Sequence, residues 1–270
     1  MGLPALLAPW VARPDRSAVL VDFDGSLAPI VDEPSAARAL PASVAAVSRL
    51  ARRLGLVAVV SGRPVDFLYE QFGDDRLAYA GVYGLEQRYA GGVAVDERAL
   101  PWLDAVAAAA RRAEGAPDLE GVGVERKGAV AVALHWRTRP ERAEAAARFA
   151  AGEARSHGLE VRHGRMVVEL VPPVAVDKGT TLEALLAART GEIDAVLFAG
   201  DDQGDLAAFD ALGRAVAGGR LRHGVRVAVR SPEEPPGIAA RTDLEVDGPG
   251  GLAALLSSLA DALEARGPES

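Results

Sequence analysis

The stretch Ala18-Val19-Leu20-Val21-Asp22-Phe23-Asp24-Gly25-Ser26-Leu27 decides the fold. An unbroken apolar run followed by turn residues reads as a strand buried on both faces of a parallel sheet. Asp22 and Asp24 then fall at the carboxyl end of that strand, where open α/β sheets place their ligands. Gly25 lets the chain turn sharply beyond them. A second apolar run, Ala195-Val196-Leu197-Phe198, leads into Gly200-Asp201-Asp202-Gln203-Gly204-Asp205. Two carboxylate clusters at two strand ends repel each other unless a cation lies between them. The pattern predicts Mg2+-dependent chemistry on a phosphate group.

Composition bounds the alternatives. The chain has 270 residues, enough for one large domain or two modest ones, and 49% of them are hydrophobic. The formal net charge of -8 argues against a nucleic-acid partner, whose phosphates call for a basic excess. A small anionic substrate needs only local positive charge. Cysteine is absent, which excludes disulfides, zinc–thiolate sites and thiol catalysis. No apolar segment is long enough to span a bilayer, and the N-terminal stretch, interrupted by Pro4, Pro9 and Trp10, lacks a signal-peptide pattern. A cytoplasmic protein is expected, with no membrane partner.

The flanks of the first strand alternate between helix and strand. Leu40, Val44, Val47, Leu50 and Leu54 recur at helical spacing with Pro41 near the start, and Leu56 to Val60 reads as the next buried strand. A short helix (Val65, Leu68, Phe72) and a strand around Leu77 to Ala80 follow. This rhythm implies a parallel sheet with right-handed crossovers. The middle differs. Pro101 to Glu114 and Arg139 to Ser156 read as helices. Gly121 to Glu125 with Ala129 to Trp136, and Leu159 to His163 with Arg165 to Val171, read as hairpins. The expected architecture is α/β: a Rossmann-like core of residues 1–98 and 173–270, with an inserted α+β domain of residues 99–172. Pro172-Pro173 would form the hinge back into the core.

Four sites carry the chemistry. Asp22 is the expected nucleophile, since a carboxylate can attack a phosphoryl group once the incoming charge is neutralised. Asp24 is placed to protonate the leaving alcohol and then to activate water. Ser61, at another strand end beside Gly62, can hydrogen-bond a phosphate oxygen. Lys178 opens a helix and can lower the repulsion between nucleophile and phosphate. Asp22, Asp24 and Asp201 form the expected metal set, with Asp202 and Asp205 orienting metal-bound waters and Lys178. The four histidines have no metal-ligand spacing and receive no chemistry.

DFDGSL, the Ser61 strand end, Lys178 and GDDxxD occur in the order found in haloacid dehalogenase-like phosphatases, and the chain resembles that superfamily. It is also similar to the trehalose-6-phosphate phosphatase family. The similarity lies in Asp22 to Pro34, Ser61-Gly62-Arg63, Gly81-Val82-Tyr83-Gly84-Leu85-Glu86, Val124-Glu125-Arg126-Lys127-Gly128, His135-Trp136-Arg137, Val168-Glu169-Leu170 and Asp177-Lys178-Gly179. These matches span residues 18 to 210 or so. The resemblance implies a C2-type α/β cap and Mg2+-dependent hydrolysis of trehalose 6-phosphate through an aspartyl-phosphate. It also implies functional coupling to trehalose-6-phosphate synthase. By the same resemblance Glu125, Lys127 and Glu169 bind sugar hydroxyls, Arg137 and Arg165 lie near the phosphate entrance, and Arg63 contacts substrate. The chain departs from the family pattern at Ser26, Tyr83, Gly204 and Leu206, where threonine, histidine, threonine and glutamate are usual. Other readings of the same motifs are a phosphatase for sucrose phosphate or a glucosylglycerol-type compound, a phosphomutase, and a non-catalytic regulatory subunit that binds the same ligand.

Overall fold

Ser17–Val21 forms strand β1, and each of its five residues is buried. The structure is a computed structural model that describes residues 2–31, 33–164, 166–189, 192–231 and 237–266. Successive side chains of β1 enter opposite layers, as a strand's period of two requires: Val19 and Val21 on one face, Ala18 and Leu20 on the other. The remaining strands of this sheet are β2 (Leu56–Val60), β3 (Ala78–Gly81), β4 (Glu86–Tyr89), β5 (Gly92–Val95), β10 (Ala195–Gly200), β11 (His223–Arg230) and β12 (Leu244–Asp247). Their order is β12-β11-β10-β1-β2-β3-β4-β5, parallel from β12 to β3 and antiparallel beyond. A second, wholly antiparallel sheet has the order β6-β7-β9-β8, from Gly123–Lys127 (β6), Ala131–His135 (β7), Glu160–Gly164 (β8) and Val167–Val171 (β9).

Helices cover both faces of the large sheet. On one side lie α1 (Ala8–Ala12), α2 (Pro41–Leu50), α3 (Val65–Phe72) and α8 (Gly248–Ala265), packed through Trp10, Val47, Leu68, Leu252 and Leu256. On the other lie α6 (Lys178–Ala187) and α7 (Leu206–Ala217), packed through Leu182, Phe209 and Leu212. The small sheet buries one face against α4 (Leu103–Glu114) and α5 (Ala143–His157). A separate apolar cluster of Val82, Leu85, Val130, Ala131, Val171 and Val174 joins the two sheets. Among the described residues no helix is long and apolar enough to cross a membrane.

The mixed α/β architecture and its parallel sheet match expectation, with local differences at several elements. Two antiparallel strands, β4 and β5, extend the large sheet beyond the parallel set. Their alternation is weak because three of the four β5 residues are exposed. The helix expected from Pro101 starts at Leu103, after a 3-10 turn over Glu97–Trp102. Pro101 has no N–H to give a regular helix, and Asp96 caps the turn by accepting from the Arg98 N–H. The short edge strand β12 was not anticipated; its half-exposed residues carry little apolar signal.

The α6–α7 contact is close enough to set a prediction. A Cβ on Gly179 would lie 2.5 Å from the carbonyl oxygen of Ala207, which is main chain and cannot step aside. Gly179→Ala should therefore cost about 1–3 kcal/mol in denaturant unfolding. Gly152 lies within α5 with nothing inside 4 Å of its would-be Cβ. Gly152→Ala should stabilise by about 0.5–1 kcal/mol, and equal effects at the two positions would contradict the packing described.

Candidate active site

Three neighbouring parallel strands end at one cleft. Asp22 follows β1, Ser61 follows β2 and Asp201 follows β10, with β10, β1 and β2 adjacent in the sheet. Lys178 is the first residue of α6, whose N-terminus is fixed by a capping box between Asp177 and Thr180. Its ammonium donates to Asp22 Oδ1 at 2.7 Å and to Asp205 Oδ1 at 2.7 Å, and lies 3.7 Å from Asp202. Lys178, Asp22 and Asp205 are all buried. Burial alone would lower the pKa of this ammonium, but Asp205, Asp22 and Asp202 outweigh burial and hold it above the ordinary lysine value. Lys178 is thus a fixed positive charge beside the expected nucleophile.

The other motif residues take distinct places. Both oxygens of Asp24 accept from Arg63, at 2.8 Å each, and Arg63 also donates to the carbonyl of Pro34. Ser61 is buried and its Oγ accepts from the Arg63 N–H at 3.2 Å. Asp202 is half exposed and caps the turn that follows, accepting from the N–H groups of Gly204 and Asp205. Asp205 has no exposed side-chain surface. One of its oxygens takes Lys178, and the other accepts from the N–H groups of Asp201 and Asp202 at 2.9 and 3.0 Å. Its part is to position Lys178 and the loop after β10.

The donor set fits Mg2+. Asp22, Asp201 and Asp205 offer carboxylate oxygens within 4.8 Å of one another, and all three are buried. Asp201 Oδ1 is buried without a hydrogen-bond partner. A Cβ on Gly25, which sits at φ +82°, would lie 2.2 Å from the same carboxylate, so the loop after Asp24 closes directly over it. Burial, then Asp205 and Asp202, push the Asp201 carboxyl up to about 7. Burial pushes Asp205 up to about 6 against the pull of Lys178, and it also raises Asp22. Four carboxylates facing one ammonium, with an orphaned hard oxygen among them, suit a divalent oxygen-seeking cation. Since Asp205 is saturated by Lys178 and main chain, Asp22 and Asp201 are the groups with oxygen to spare. The Asp24 carboxylate points to Arg63, outside this cluster.

The small sheet faces the same cleft. Asp22, Asp24, Ser61, Arg63, Tyr83 and Lys178 line it together with Lys127 from β6, around a volume of about 150 Å³. Strand alternation sends Glu125 and Lys127 to one side and Arg126 to the other, where it pairs with Glu114 of α4. Lys127 makes a close, buried ion pair with Glu169 of β9. The register places Glu125, Ala133, Glu169 and Arg162 in one row across the sheet. Ala133, between Glu125 and Glu169 in that row, is itself fully buried. Arg137 is exposed in the turn after β7 and is not among the residues lining the cleft, and Arg165 lies outside the described residues. A larger groove of about 210 Å³ runs between α4 and the β6–β7 turn. Its lining, Leu103, Val106, Ala110 and Arg126 among others, includes none of Asp22, Asp24, Ser61, Lys178 or Asp201.

Three residues given no role in the sequence reading belong here. His135 Nε2 lies 2.7 Å from Glu125, an i, i+10 pairing that only the β6–β7 hairpin creates. Burial raises the Glu125 carboxyl, but His135, Lys127 and Arg63 together hold it below its ordinary value. Tyr83 adopts a left-handed φ of +59° and sets its ring against Gly62, where a Cβ would meet it at 2.9 Å. Positive φ at a bulky residue is costly and collects at functional sites. Arg162 stands 5.5 Å over the Tyr83 ring.

The raised carboxyls have a thermodynamic signature. Between the ordinary aspartate value of 3.8 and about 7 the folded protein holds a proton at Asp201 that the unfolded chain has released, so stability falls as pH rises through that window. In chelator, the melting temperature should fall from pH 5 to 8. Saturating Mg2+ should flatten the profile, and Asp201→Asn should make it shallower without metal, leaving the part due to Asp22 and Asp205. A level profile in chelator would contradict the clustering of charge.

Comparisons with known proteins identify the family and the fold. The family model described as trehalose-phosphatase matches residues 20–243. The trehalose-phosphate phosphatase of Mycobacterium avium (strain 104) is 37% identical over 255 residues, which is 92% of this chain and 63% of that protein. The chain therefore spans less than two thirds of that relative's length. In fold it is similar to the C-terminal domain of Candida albicans trehalose-6-phosphate phosphatase, with a TM-score of 0.71 at 22% identity, covering 96% of this chain and 98% of that one. The C-terminal domain of the Candida albicans trehalose synthase regulatory protein shares the fold as well, with a TM-score of 0.66 at 14% identity over 96% of this chain and 99% of that one. On the match across residues 20–243 and the similarity to a curated relative, the chain belongs to the trehalose-phosphatase family.

Proposed function

We propose that this chain hydrolyses trehalose 6-phosphate to trehalose and inorganic phosphate, with Mg2+ and through an aspartyl-phosphate at Asp22. The carrying observation is that Lys178, bonded to Asp22 at 2.7 Å, and Lys127 of the small sheet, paired with Glu169, line one cleft. On this reading residues 1–98 and 173–270 are the catalytic core and residues 99–172 the cap. The substrate is the product of trehalose-6-phosphate synthase.

Asp22 attacks phosphorus, and the bond from phosphorus to the sugar oxygen breaks. Asp24, once its fork with Arg63 has opened and it has taken up a proton, gives that proton to the sugar oxygen, and trehalose leaves. Asp24, now a carboxylate, takes a proton from water as the water attacks phosphorus. The acyl-phosphate bond breaks, restoring Asp22 and releasing phosphate. Arg63 fixes the Asp24 side chain at the mouth of the cleft, and Ser61 offers a hydroxyl to a phosphoryl oxygen. Mg2+, held by Asp22 and Asp201, would neutralise charge on the phosphoryl group as Asp22 approaches. Any share Asp24 takes in holding the metal requires its fork with Arg63 to open. Lys178 supplies its charge without reorganisation because Asp205 already holds it in place.

Glu125, Lys127 and Glu169 answer the sugar hydroxyls, with Arg137 and Arg165 assigned to the phosphate entrance. Charged groups fixed in pairs on strands favour a ligand that matches their spacing and reject one that leaves them unpaired. Phosphate release should therefore be fastest from trehalose 6-phosphate in a panel with the 6-phosphates of sucrose, glucose and mannose, and be lost on chelation. Lys127→Ala and Glu169→Ala should each lower kcat/KM for trehalose 6-phosphate about 100-fold, far more than for p-nitrophenyl phosphate. Equal losses on both substrates would remove these residues from sugar recognition. A preference for another sugar phosphate would keep the core chemistry and reassign the cap.

A further inference from the structure

Glu86 is the first residue of β4, is only 4% exposed and lies outside the catalytic set. Its carboxylate joins two elements that carry the chemistry. One oxygen accepts from the Ala129 N–H at 3.1 Å, in the β6–β7 turn, two residues after Lys127. The other accepts from the Val65 N–H at 3.4 Å, at the start of α3, two residues after Arg63. The turn wraps directly onto this carboxylate: Gly128 has a φ of +56°, and a Cβ there would lie 1.6 Å from Glu86 Oε1. The segment leading into Glu86 is tied to the phosphate loop as well. The Val82 N–H donates to the Arg63 carbonyl and the Tyr83 N–H to the Ser61 carbonyl, both at 3.0 Å. The apolar cluster of Val82, Leu85, Val130, Ala131, Val171 and Val174 packs the same junction.

We propose that Glu86 is a positioning residue that pins the β6–β7 turn to the loop after β2, and so sets where Lys127 stands relative to Asp22. Burying a carboxylate is costly unless its lone pairs are met. Here both oxygens accept main-chain N–H groups, and one donor belongs to the first turn of α3, where negative charge is favoured. Apolar side chains could fill the space at lower cost, but they would not fix the two main-chain segments relative to each other. Glutamine keeps one acceptor oxygen and turns an NH2 group toward the second N–H, so Glu86→Gln releases one of the two segments at nearly constant volume. The inference rests on the cap reading of the small sheet, and its test separates the two.

Glu86→Gln is compared with wild type on trehalose 6-phosphate and on p-nitrophenyl phosphate, alone and combined with Lys127→Ala. The expected result is a KM for trehalose 6-phosphate raised about tenfold, a much smaller change on the aryl ester, and a double variant no worse than Lys127→Ala alone. A parallel readout needs no substrate. The chain has no cysteine, so spin labels at Glu144→Cys on α5 and Arg52→Cys beyond α2, both exposed, report the distance between the small and large sheets. A narrow distribution in wild type should broaden in Glu86→Gln. Equal losses on both substrates, full additivity with Lys127→Ala, or an unchanged distance distribution would each overturn the proposal. Should wild type ignore trehalose 6-phosphate, the substrate reading fails while the distance experiment still decides the role of Glu86. If Glu86→Gln does not fold, Gly128→Ala, whose methyl displaces the carboxylate from the turn, carries the same expectations.

Discussion

The site depends on one buried ammonium. Lys178 sits between Asp22 and Asp205, 2.7 Å from each, in a region that would otherwise hold only negative charge at the ends of β1 and β10. Its position follows from the fold. The Asp177–Thr180 capping box starts α6 at Lys178, and the contact of Gly179 with α7 brings that helix end close to the acidic loop. Asp205 completes the restraint by spending its second oxygen on the N–H groups of Asp201 and Asp202. The charges are fixed before substrate arrives, the condition under which electrostatic stabilisation is most effective. One ammonium does not balance the carboxylates, and the raised Asp22, Asp201 and Asp205 carboxyls mark the remaining deficit that a divalent cation would fill.

The second constraint is the register of the small sheet. A one-residue slip in β6 would exchange Glu125 and Lys127 for Val124 and Arg126 on the cleft side. The hairpin pairing of Glu125 with Ala133, and of Ala133 with Glu169, holds that register, and the Lys127–Glu169 pair locks it from the side chains. Breaking such a buried pair by removing one partner is costly because a charge is left without its counterpart. On the proposed function, specificity and stability are therefore joined at these positions.

Much of this was readable in the sequence because β1, β2 and β10 are uninterrupted apolar runs ending in polar turn residues. Such runs place Asp22, Ser61 and Asp201 at strand ends without knowledge of the tertiary structure. The strands β4, β5 and β12 were missed because they are short, at or near an edge and partly exposed, so their period of two is blurred. Long-range partners left no local signal. Nothing in the sequence indicates that Arg63 forks onto Asp24, that His135 reaches Glu125, or that Glu86 meets Ala129 across 43 positions. Asp202 combines two parts: it caps the turn over Gln203–Asp205, as an Asp just before a helix commonly does, and it also lines the cleft.

A shared fold does not by itself establish turnover; the chemistry rests on whether Asp22 becomes covalently phosphorylated. The most direct measurement is rapid acid quenching of the protein with Mg2+ and 32P-labelled trehalose 6-phosphate, followed by peptide mapping. Hydroxylamine-labile label on the peptide that contains Asp22, absent from Asp22→Asn, is the predicted result. Turnover without any trapped label, or label that persists in Asp22→Asn, would contradict it.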